Sequence, residues 1–98
     1  MNKSEAKEIL TRHLAEYRRC SYDVLQALLE SPVTLEETGP SGALYQLEFF
    51  ALWDDRPGGN LRLCGGVDDG GLRAFLPLCE DFIISPCGDL VVITTGLA

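Results

Sequence analysis

The sequence predicts an α+β domain in which an N-terminal helix or helix pair packs on an antiparallel β-meander of about five strands. Apolar residues recur at helical spacing through residues 4–31, strict alternation begins at residue 44, and Gly- and Pro-rich clusters divide the rest into short segments. With 98 residues, the chain has enough length for one packed core and too little for two, so a single domain over 1–98 is expected, helical over 4–31 and meandering over 33–95.

From Ser4, expected as the N-cap, Ala6, Ile9, Leu10, Leu14 and Tyr17 form one stripe on a helix. Continued through Leu29, such a helix would reach about 40 Å at ~1.5 Å per residue, too long for this domain, so a break is expected near Cys20-Ser21. Ser21 then caps a second short helix with Val24, Leu25, Leu28 and Leu29 expected inward, and Pro32 stops it after Ser31.

Val33 to Thr38 reads as the first strand, and Gly39-Pro40-Ser41-Gly42 suits a type I turn. In 44–53, Tyr45, Leu47, Phe49, Ala51 and Trp53 share the face expected to meet the helices, with Gln46 and Glu48 on the other. Pro57-Gly58-Gly59 turns the chain into Leu61 to Val67, and Asp69-Gly70-Gly71 into Leu72 to Leu76. Ser85-Pro86-Cys87-Gly88 forms the last turn, between Phe82-Ile83-Ile84 and Leu90 to Thr94.

The composition, 46% hydrophobic and 23% charged, is that of an ordinary globular protein. Apolar runs such as Leu90 to Ile93 fall far short of the ~20 residues of a membrane span. The mixed-charge N-terminus lacks the apolar stretch of a signal peptide, so a cytoplasmic location is expected. There Cys20, Cys64, Cys79 and Cys87 are expected as thiols, and their spacing contains no C-x-x-C pair for structural zinc.

Net charge is −7, with five basic and seven acidic residues in 1–40 but three basic and eight acidic in 41–98. A surface this acidic repels phosphate backbones and anionic headgroups, which argues against nucleic-acid and membrane partners.

Adjacent carboxylates mark the turns: Asp54-Asp55, Asp68-Asp69 and Glu80-Asp81, with Asp89 nearby. Successive turns of a meander lie at opposite ends, about 26 Å apart for an eight-residue strand, so the first two pairs cannot share a site. Glu80-Asp81 is expected back at the end carrying Asp54-Asp55, where four carboxylates near Asn60 could hold Mg²⁺ or Ca²⁺. The plainer reading is turn chemistry, because Asp and Asn side chains mimic turn hydrogen bonds.

A small polar-ligand or partner site could be built from Trp53, Asp54, Asp55, Asn60, Arg62 and Arg73, although an aromatic at a strand end is more often core or rim. Arg62 and Arg73 are expected to pair with Glu48 across the solvent face. His13, the only histidine, sits on the helical stripe and reads as structural. No nucleophile elbow accompanies Ser21, Ser41 or Cys64, and no helix signal follows the glycine pairs as a phosphate loop requires. No catalytic residue and no cofactor are therefore assigned. The uncharged Leu90-Val91-Val92-Ile93-Thr94-Thr95 is expected either covered within the monomer or paired in a homodimer.

Trp53-Asp54-Asp55, Pro57-Gly58-Gly59-Asn60, Asp68-Asp69-Gly70-Gly71, Arg73-Ala74-Phe75 and Asp81-Phe82 together resemble a group of small bacterial proteins of unknown function. The resemblance covers under half the chain and implies a compact, stand-alone bacterial protein, with no catalytic residue carried over. The leading expectation is a small non-enzymatic interaction module that engages a protein partner or itself through its acidic β half. The alternative is a divalent-metal-binding protein or metal-assisted hydrolase using Asp54, Asp55, Glu80 and Asp81.

Overall fold

The structure, a computed structural model, describes residues 2–69 and 78–91. Helix α1 spans Lys3–Tyr17 and buries Ala6, Ile9, Leu10 and Leu14, the expected stripe. Its cap is Asn2 rather than Ser4: the Asn2 side chain accepts from the Glu5 backbone N–H at 3.1 Å, which places Ser4 inside the first turn. The chain breaks where expected. Ser21 Oγ accepts from the Val24 N–H at 3.2 Å and starts helix α2, Tyr22–Gln26, followed by a 3-10 turn over Ala27–Leu29. Leu25 and Leu28 are buried, whereas Val24, expected inward, is 55% exposed, because the side chain next to Leu25 points about 100° away from it around the helix.

Five antiparallel strands follow in sequence order: β1 (Val33–Thr38), β2 (Leu44–Trp53), β3 (Leu61–Asp68), β4 (Leu78–Ile84) and β5 (Leu90–Val91). The α+β meander expected from the sequence is therefore present. Gly42 (φ +90°) closes the β1–β2 turn and Gly58 (φ +83°) the β2–β3 turn, backbone conformations that side-chain-bearing residues rarely adopt. The partner of β3 is β4, with Leu63 opposite Phe82. The strand expected over Leu72 to Leu76 and most of Leu90 to Thr94 lie outside the described residues, as does the turn at Gly70-Gly71.

The pleat divides the sheet into two faces. Tyr45, Leu47, Phe49, Ala51, Leu61, Leu63, Val67, Phe82 and Ile84 meet the helices in one core, with α1 over β3 and β4 and the 3-10 turn over β2. Gly65 belongs to this face: a Cβ there would lie 2.8 Å from Phe49 Cε1 and 3.0 Å from Leu10 Cδ1, so the missing side chain lets ring and helix approach the strand.

Two carboxylates fasten α1 to the β1–β2 hairpin. Glu5 accepts from the Ser41 N–H (2.9 Å), Ser41 Oγ (2.6 Å) and Tyr45 Oη (2.7 Å). Glu37 accepts from Arg12 and faces His13 Nε2 at 2.8 Å. His13 also lies 5.6 Å from the Phe49 ring centroid, a structural role. The Ser41 and Tyr45 hydroxyls lower the Glu5 pKa, and His13 followed by Arg12 lowers that of Glu37. The bond to Glu5, and burial, raise that of Tyr45.

A depressed carboxylate contributes stability above its unfolded pKa that is lost as pH falls through the folded one; a raised tyrosine loses its contribution as pH rises. Stability should therefore decline on acidification below the ordinary glutamate value of 4.5 and again above the ordinary tyrosine value of 10.0. Denaturant melts from pH 3 to 11 should show both declines, each shallower in Glu5→Gln. A flat profile between pH 3 and 7 would contradict this account.

Candidate functional site

The face turned away from the helices is the open one. Register places four rows on it: Glu36, Gln46 and Asp68; Thr34, Glu48, Gly66 and Cys79; Phe50, Cys64 and Asp81; Leu52, Arg62, Ile83 and Val91. Over the first three rows lies a groove of about 980 Å³. Its walls include Glu36, Glu48, Asp68, Glu80 and Asp81, with no Lys, Arg or His among its described lining residues. Phe50 and Cys64 give the floor apolar character, and burial pushes the Cys64 thiol up, which keeps it protonated and poorly nucleophilic. No disulfide joins the cysteines. Leu44 and Leu52 at the ends of β2 remain about half exposed, at 49% and 50%, whereas Ile83 keeps only 3%. The accessible surface of this face thus runs from β1 to the first half of β4.

The groove's far end is closed electrostatically. Arg62 donates from Nε and Nη2 to Asp54 Oδ1 (3.2 and 2.7 Å) and from Nη1 to Asp81 Oδ2 (2.6 Å). Both carboxylates raise the arginine's pKa, Asp81 most. The expected pairing of Arg62 with Glu48 is therefore replaced by pairing with two aspartates, because Glu48 lies opposite Gly66, two rows away. Among the described residues neither Glu36 nor Glu48 has an ion-pair partner.

The expected carboxylate cluster is not assembled. Asp54 and Asp81 do converge, but on the Arg62 guanidinium, which already fills the place a cation would take. Asp55 turns into its own loop, accepting from the Arg56 and Asn60 N–H groups at 2.7 and 2.8 Å, and these bonds lower its pKa. Glu80 and Asp81 lie within β4 and not in a turn, so the pleat sends them to opposite faces: Glu80 accepts from Thr11 Oγ1 at 3.4 Å on the helix side. No group of three or more metal-ligating side chains occurs among the described residues.

The polar-ligand set is divided as well. Trp53 is half-buried against the core, on the face opposite Arg62. Asn60 serves the loop, its C=O accepting from the Asp54 N–H at 2.8 Å, and Arg73 lies outside the described residues. The groove residues Glu36, Phe50 and Gly66 were not singled out by sequence reasoning. A signal was nonetheless present: in an alternating strand the adjacent pair Phe49-Phe50 must send one aromatic to each face.

No helix among the described residues is long and apolar enough to cross a membrane. The chain matches no protein-family model, no curated protein and no solved structure.

Proposed function

We propose that this protein is a small non-enzymatic interaction module that docks a protein partner on the helix-free face of its sheet. The observation that carries this reading is the 980 Å³ groove over β1 to β4, apolar at Phe50 and Cys64 and bordered by exposed side chains. A sheet face grooved across four strands is suited to a complementary protein surface. At the groove's far end Asp54, Asp81 and Arg62 satisfy one another, and no histidine lies among its described lining residues to act as a general base beside Glu36 and Glu48.

Site-specific photocrosslinking in native cells tests the reading. A photoreactive residue at Gln46, on the open face, should give a discrete adduct of one added mass, while the same residue at Glu16, on exposed α1, should not. Equal adducts from both positions, or none from Gln46, would remove the open face as the docking surface.

A further inference from the structure

Adjacent glycines in a strand weaken it, and each calls for a reason. Gly65 has one in the packing of Phe49 and Leu10. Gly66 has no such reason within the described fold: a Cβ there would meet nothing closer than Cys79 Sγ at 3.6 Å and Leu78 O at 3.8 Å, ordinary contact distances, and its φ is not in the left-handed region. It leaves a notch in the groove between Glu48 on β2 and Cys79 on β4. A strand glycine often marks a bulge, a tight bend or a close approach of a ligand or another backbone, and the pairing of β3 runs through Gly66 without a break on either side, which points to close approach.

The charge of the groove identifies that molecule. Glu36, Glu48, Asp68 and the Arg62-paired Asp81 present carboxylates on this face, the Glu80 carboxylate lying on the helix side, and no basic residue lines the groove among those described, so two copies of this face would repel each other. We propose that the groove receives an extended basic segment of a partner protein, one Lys or Arg of which lies over Gly66. The aliphatic stem of that residue rests on the notch beside Phe50 and Cys79, and its charged head reaches Glu48, with Glu36 and Asp68 one row further along. Glu48 and Glu36 have no ion-pair partner among the described residues, so engaging these two carboxylates breaks no ion pair there. The stretch from β1 to β4 covers three strand spacings, about 14 Å, which accommodates several residues of extended chain.

This inference rests on the docking face proposed above, and three end-blocked peptides separate the two: alternating Lys–Val, Gln–Val and Glu–Val pentapeptides, titrated into the full chain and followed by amide NMR shifts. The Lys–Val peptide should shift Phe50, Cys64, Gly66 and Cys79, and the Glu–Val peptide should shift none. Glu48→Lys and, independently, Gly66→Val should each weaken the Lys–Val peptide about tenfold or more. Binding of Gln–Val as strong as that of Lys–Val would overturn the cationic preference while leaving the docking face intact. Silence from all three peptides, or Lys–Val shifts scattered equally over the acids of α1, would overturn the inference altogether.

Discussion

Phe49→Ala is expected to lower the unfolding free energy by about 3–5 kcal/mol, a large part of the ~5–15 kcal/mol that holds a domain of this size folded. The side chain is fully buried at the centre of the molecule, its ring 4.9 Å from that of Tyr17 and 5.6 Å from that of His13. It also covers the bare backbone of Gly65 directly across the β2–β3 ladder. Truncation opens a cavity that its neighbours cannot fill, because Leu10 and Tyr17 are fixed on a helix and Gly65 has no side chain to offer. Urea melts followed by circular dichroism would measure the loss. A change below about 1 kcal/mol would show that the ring is not the keystone of the helix–sheet contact.

Gly65→Val should cost about 3 kcal/mol by the opposite mechanism, overpacking. Its Cβ alone would sit 2.8 and 2.9 Å from two carbons of the Phe49 ring and 3.0 Å from Leu10 Cδ1, before the two valine methyls are placed. The ring can move away only by displacing His13 or Tyr17, so α1 must lift from the sheet. The same substitution one residue along, Gly66→Val, meets only Cys79 Sγ at 3.6 Å and Leu78 O at 3.8 Å and should change stability by less than about 1 kcal/mol, since valine favours the strand. The two replacements at position 49 and position 65 occupy the same space, so Phe49→Ala combined with Gly65→Val should cost less than their sum by about 1–3 kcal/mol. Equal costs for Gly65→Val and Gly66→Val would show that the two faces of β3 are not packed differently.

That contrast also marks what could be read in advance. The burial stripe on α1, the break before Ser21, the bounds of β1 and β2 and the turn at Ser85 to Gly88 are local matters of spacing, capping and turn chemistry. They are legible in 98 letters because each depends on neighbours a few residues away. Glu80-Asp81 misled for the same reason: two adjacent acids resemble a turn, and only pairing with β3 shows them inside β4, one bonded to Thr11 and the other to Arg62.

The site was much less legible. Asp54 and Asp81 are 27 residues apart in number yet share one guanidinium, and Trp53 and Arg62 sit on adjacent strands yet face opposite ways. Sequence by itself determined the α+β class, the strand order's raw material and the acidic balance of the β half, because periodicity and composition are properties of the chain. Only the tertiary structure decided which carboxylates are neutralised, which glycine is filled by a neighbour's ring and which is left open, because register and pleat bring together side chains that no local pattern links.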